Sequence, residues 1–168
     1  DENGAWATSP ILTTTAAVTR NGDVLSYASA FNVAQGSALC SVKTAVALTL
    51  GDIRMLGGDS GSAKLMYLNS GSSRNEGRIF DGTTEAISTG LSLLTGIRKR
   101  ASRWGSGLKS CSDGSLGTGV AFDGSMGTVG TLYVGCSQLN AEHISGPIRE
   151  VHIWPTPLTD TQMKQVTS

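Results

Sequence analysis

Apolar and polar residues along this chain alternate in short bursts instead of recurring every third or fourth position. That is the period of a pleated strand, whose side chains point to opposite faces in turn. Runs of this kind stand at 16–19, 23–27, 53–56, 64–68, 77–80, 97–104, 108–111, 120–122 and 130–135. Residues 37–50 form the longest uncharged run, broken only by Lys43. Within it Leu39, Ser41 and Lys43 fall on one face, and Cys40, Val42 and Thr44 on the other. Residues 45–48 imitate a helix, and residues 91–95 fit either a strand or one helical turn. Between the runs lie glycine turns. Asn21-Gly22 joins two strands, and Asp81-Gly82, Asp113-Gly114 and Asp123-Gly124 each follow a short apolar run. Such dipeptides supply the positive φ that tight hairpin turns require.

The sharpest punctuation lies between residues 130 and 168. The run Ile144-Ser-Gly-Pro-Ile-Arg-Glu-Val-His-Ile-Trp-Pro155 is β-rich and is stopped by Pro155 and Pro157. In it Arg149, Val151 and Ile153 share one face, while Glu150, His152 and Trp154 share the other. Val151 and Ile153 are expected in the core. Ile148 has the wrong parity, which a bulge near Gly146-Pro147 would reconcile. One short helix is then predicted over 158–167. Thr159 is its N-cap, Gln162 completes a capping box, and Leu158 with Met163 is spaced for a hydrophobic staple.

This succession predicts an all-β fold of two antiparallel sheets with a single terminal helix, forming one domain over residues 1–168 after a polar lead-in at 1–10. Composition agrees: Gly stands at 22 of 168 and charged residues are only 15% of the chain. Thirteen basic residues balance thirteen acidic ones, which argues against a partner such as nucleic acid or an anionic membrane surface. No apolar run approaches the ~18 residues that a membrane span needs. The chain opens Asp1-Glu2 without Met, as an excised or processed fragment would, and carries no Asn-x-Ser/Thr sequon. Cys40, Cys111 and Cys136 lack CxxC spacing and are expected as buried free thiols, with a Cys111–Cys136 bridge as the alternative. Free thiols suit a reducing cytoplasm.

The segment Leu132-Tyr-Val-Gly135 followed by residues 144–167 resembles the closing part of concanavalin A-like (laminin-G/pentraxin-type) jelly-roll domains, of the kind carried by bacteriophage tail fibres and other virion proteins. There a "G-x-I-x-x-V-x-I" strand supplies inner-sheet core and a "P-L-(S/T)-D-x-(Q/E)" helix closes the sandwich. Residues 7–26 resemble the opening of the same domains. The resemblance implies a jelly-roll sandwich and a non-catalytic, lectin-like role in adhering to host-surface glycan. It also implies a place on a virion assembled in the bacterial cytoplasm among other virion proteins, with self-association, often as a homotrimer. The alternative is a structural decoration or assembly domain that binds no sugar.

Candidate chemistry is sparse. Gly58-Asp-Ser-Gly-Ser62 resembles the nucleophile loop of trypsin-like proteases, but both histidines, His143 and His152, follow it, where that family places its base well before. Glucanases of the sandwich fold use carboxylates at alternate strand positions, and Glu76, Glu85, Glu142 and Glu150 each lack an acidic partner at i+2. Arg98, Lys99, Arg100 and Arg103 make the densest charge. They read as a solvated or edge-protecting strand, or as a contact for an anionic glycan or phosphate. Trp104 shares a face with Arg98 and Arg100 and is the candidate sugar-stacking surface, against the alternative of buried packing. Some relatives of the fold bind Ca²⁺, for which Asp81, Asp113 and Asp123 are the possible donors, although turn chemistry already accounts for each. Two histidines are too few for zinc, and Gly124-x-x-Gly127-x-x-Gly130 lacks the lysine and helix of a phosphate loop.

Overall fold

The computed structural model describes residues 25–28, 32–44, 52–57, 66–69, 76–81, 83–88, 96–122, 131–135 and 147–168. Within them the strands are β1 (Leu25–Ala28), β2 (Gly36–Thr44), β3 (Asp52–Gly57), β4 (Met66–Asn69), β5 (Glu76–Phe80), β6 (Glu85–Ser88), β7 (Gly96–Trp104), β8 (Lys109–Ser112), β9 (Ser115–Leu116), β10 (Thr131–Val134) and β11 (Ile148–Trp154). One helix, α1 (Asp160–Thr167), follows. The strands pair antiparallel into two sheets, ordered β1-β10-β3-β4-β5-β6 and β11-β2-β7-β8-β9. This is the expected two-sheet jelly roll with one short C-terminal helix.

The alternation read from residues 37–44 decides how the layers stack. Ala38, Cys40 and Val42 enter the core between the sheets with Met55, Leu56, Ile79, Ala86, Trp104, Leu108, Leu132 and Val134. Leu39 points the other way and meets Ala101, Cys111 and Met163, with Leu158, Val166, Leu116 and Trp154 packed around them. The helix therefore covers the outer face of the five-stranded sheet, and β2 and β7 are buried on both sides. Its start is fixed as the spacing predicts: Gln162 N–H donates to Thr159 Oγ1 at 3.3 Å, and Thr159 N–H donates to Gln162 Oε1 at 2.8 Å. Ion pairs from Lys109 and Arg103 to Asp160 hold that first turn to β7 and β8. At the other end Gly114 N–H donates to Thr167 Oγ1, and Lys99 Nζ reaches the Ser168 carbonyl.

Asp113-Gly114 forms the anticipated two-residue hairpin between β8 and β9, with φ of 46° and 79°. Beside it the two sheets close on small groups. Ser88, Ser102, Ser110 and Ser112 are buried, and the Ser88 and Ser112 hydroxyls lie 2.6 Å apart across the gap. Hydroxyls bonded to one another inside a sandwich remain satisfied without water.

Several expectations need correction. Strands β6 and β9 lie where none was anticipated, and Val120 contributes only an isolated bridge to Leu108 in place of a strand over 120–122. The bulge in β11 falls between Ile148 and Glu150, two residues later than expected, and restores Ile148 to the core side opposite Val42. Ile153 is 43% exposed and is not core. Strand β7 is central, not an edge. The readings at 16–19, Asn21-Gly22, 45–50, 58–62, 91–95, Asp123, Cys136 and His143 lie outside the described residues.

Candidate functional site

Strand parity did place Arg98, Arg100 and Trp104 on one face, but that face is the interior. Trp104 is 1% exposed, and its Nε1–H donates to the Asn32 carbonyl at 2.8 Å. Its six-membered ring sits so close to Gly36 that a Cβ there would lie 2.6 Å from Cζ2. The indole thus offers no face to a sugar, which corrects its assignment as a stacking surface. Arg100 is 4% exposed. Its Nη1 donates to Asp113 Oδ2 at 2.9 Å and to the Lys99 carbonyl at 3.0 Å. Burial lowers the Arg100 pKa, and the neighbouring Asp113 carboxylate opposes that. Arg98 Nη1 approaches the same Oδ2 at 3.5 Å. Both arginines thus tie β7 to the β8–β9 turn, and a buried guanidinium kept ionised needs such a partner.

Two of the three aspartates expected to hold calcium, Asp81 and Asp113, are also committed; the third, Asp123, lies outside the described residues. Asp81 Oδ1 accepts from Thr83 N–H at 2.8 Å and Thr84 N–H at 2.7 Å, while its Oδ2 accepts from Thr84 Oγ1 at 2.8 Å. Asp113 Oδ1 accepts from Lys99 N–H at 2.8 Å and its Oδ2 faces two guanidinium groups. A cation placed there would be repelled. Among the described residues, no three His, Cys, Asp or Glu side chains are grouped to hold a metal ion. Cys40 and Cys111 are buried free thiols.

A different constellation stands in the open. On β11 the residues Glu150, His152 and Trp154 project from one face, as their parity dictates. The His152 and Trp154 rings stack with centroids 5.7 Å apart and planes inclined by 19°. His152 Nε2 lies 3.3 Å from Glu150 Oε2. The side chains of His152 and Glu150 are 53% and 40% exposed, whereas Trp154 is half-buried, packed against the cluster of Leu39, Ala101, Cys111 and Met163. Carboxylate, imidazole and indole thus form a ladder along a strand that is at the edge of its sheet among the described residues. The pattern Glu-x-His-x-Trp was visible in the sequence. What marks it as exposed is that the helix covers β7 and β8 and stops short of β11, which no local pattern encodes.

No protein-family model matches the chain, and no curated protein matches it in sequence. Solved structures do. The CBM40 module of the Ruminococcus gnavus IT-sialidase superposes with a TM-score of 0.60 at 15% identity, covering 81% of this chain and 84% of that one. The same module bound to alpha2,3 sialyllactose gives 0.54 at 14% identity over the same shares. A heptameric SAP-like pentraxin from Limulus polyphemus gives 0.61 at 15% identity, over 81% of this chain and 70% of that one. Domain 4 of AbnA, a GH43 extracellular arabinanase from Geobacillus stearothermophilus solved with arabinotriose, gives 0.60 at 17% identity, over 83% and 69%. At these identities the likeness establishes the fold, a two-sheet jelly roll, and leaves function to be argued from the site.

Proposed function

We propose that this chain is a non-catalytic glycan-binding module. The observation that carries the reading is the superposition of about four-fifths of the chain on a carbohydrate-binding module and on an arabinotriose-bound arabinanase domain. With zero net charge, recognition rests on hydrogen bonds and stacking, not on long-range steering. Each site then binds weakly, in the millimolar to micromolar range, and gains strength from multivalency. The finer reading is a receptor-binding domain of a phage or phage-derived particle, assembled in the bacterial cytoplasm and displayed in several copies, such as a homotrimer. It draws on the resemblance of residues 7–26 and 132–167 to such domains.

The test is a glycan array probed with the chain displayed multivalently. Saturable binding to defined glycans is expected, and a blank array with correctly folded protein refutes the proposal. A second reading, a structural virion domain without a sugar ligand, is favoured by the exposed side chains of Ile97 and Ile153, 46% and 43% accessible. It predicts that the blank array is accompanied by concentration-dependent assembly with other virion proteins.

A further inference from the structure

We infer that the Glu150–His152–Trp154 ladder on β11 is the subsite that contacts sugar, and that it takes a neutral hexopyranose; this rests on the glycan-binding reading above. A pyranose presents an apolar C–H face and a rim of hydroxyls. Recognising it takes an aromatic surface beside hydrogen-bonding groups that are not already spent. Among the described residues the ladder combines both in the open. Trp154 is packed against the buried cluster of Leu39, Ala101, Cys111 and Met163, so its ring loses little freedom when a ligand arrives. His152 extends the aromatic surface by its offset stack on the indole. Glu150 accepts hydroxyl donors, and its one hydrogen-bond contact among the described residues is the 3.3 Å approach to His152.

The fold makes this surface reachable. Among the described residues β2 is the only strand paired with β11, and the His152 and Glu150 side chains are exposed, so the ladder can be reached from the face of the sheet. Sign of charge then selects the sugar. An acidic sugar laid on the indole would bring its carboxylate against Glu150, a repulsion poorly screened at contact distance. A neutral sugar instead donates hydroxyls to Glu150, and hydrogen bonds to a charged acceptor are the stronger kind. Of the arginines the sequence offered as an anion contact, Arg98 and Arg100 lie on the inner face of β7 and are engaged with Asp113, and Arg103 is engaged with Asp160.

The experiment is an NMR titration of the full 168-residue chain with the methyl glycosides of glucose, galactose and mannose, and separately with 3′-sialyllactose. Saturable shifts of the His152 ring protons and the Trp154 indole N–H are expected with at least one neutral glycoside. Glu150→Gln should weaken that binding about tenfold, the loss of one charge-assisted hydrogen bond. His152→Ala should weaken it by a similar factor. Both side chains are exposed, so circular dichroism of these variants should match the parent. They keep the test valid if Trp154→Ala fails to fold. Saturable shifts confined to other residues would overturn the ladder assignment while leaving the glycan reading intact. Preference of the ladder for 3′-sialyllactose, strengthened by Glu150→Gln, would overturn the choice of a neutral sugar. No shift with any of the glycosides overturns this inference, and the array decides separately whether the broader reading falls with it.

Discussion

Replacing Gly117 with alanine tests whether the two sheets touch backbone to backbone where the serines meet. A Cβ on Gly117 would lie 2.0 Å from the Ile87 carbonyl oxygen and 2.6 Å from both Ile87 C and Ser88 Cα. Contacts below 3.0 Å essentially never occur for a real Cβ, so the chains must part by about 1 Å (3.0 minus 2.0). The obstacles are main-chain atoms of β6, which cannot rotate aside. Gly117 N–H is also bonded to the Ser110 carbonyl at 2.9 Å, which anchors it from the other side. Overpacking of this kind costs roughly 1–3 kcal/mol. The lower chain entropy of unfolded alanine offsets roughly 0.4–1 kcal/mol of that. A net loss of about 1.3 kcal/mol follows at the midpoints (2 minus 0.7), or about 3–5 °C in Tm for a chain of this size. Gly119 is the control, since the nearest atom to its Cβ would be Lys109 Cε at 3.7 Å, an ordinary contact. Thermal and urea unfolding of both variants would measure the difference. If Gly117→Ala unfolds within about 0.5 kcal/mol of the parent, the close approach of β6 to the β9 side is wrong.

Two further outcomes follow from buried or paired groups. Burial, aided by the charge of Glu150, pushes the Cys40 thiol up to about 12, and burial also raises Cys111. Iodoacetamide at pH 8 should therefore leave both unmodified in native protein and alkylate both in urea, as read by peptide mass spectrometry; native labelling of Cys40 would contradict its place in the core. The hydrogen bond from Lys109, with Arg103 nearby, holds the Asp160 carboxyl below its ordinary pKa of 3.8. A carboxyl depressed on folding adds stability above its unfolded pKa and loses it as pH falls through the folded value. Because Asp160 is 46% exposed, the contribution is at most about 1 kcal/mol and weakens with salt. Asp160→Asn should lower stability at pH 7 and make no difference near pH 2, as followed by circular dichroism.

Local signals in the sequence went as far as local physics allows. Thr159 and Gln162 announce the helix start because a capping box needs only residues three apart. Asp113-Gly114 announces its turn because positive φ at successive positions excludes most side chains. The alternation of residues 37–44 gives both faces of β2. It does not reveal that both faces are covered, since the second cover is a helix more than 100 positions away in the chain. The same ignorance misplaced Trp104 and Arg100, whose shared face is correct but whose surroundings are not. An Arg-Lys-Arg run looks solvated until a distant turn supplies Asp113 as its partner. Strand β6 was illegible for another reason. Its buried side chains are Ala86 and Ser88, too small and too polar to stand out as an apolar run.

The doubly covered position of β2 and β7 has a bearing on where this molecule meets its surroundings. A sheet whose middle is roofed on one side by a helix and floored on the other by a second sheet keeps its central strands out of sight of any visitor. For this sheet, contact with the exterior is left to its margins, and among the described residues its last strand carries aromatic and ionic side chains together. Sequence drift can then change the side chains along that margin while the concealed centre, and with it the architecture, stays as it is.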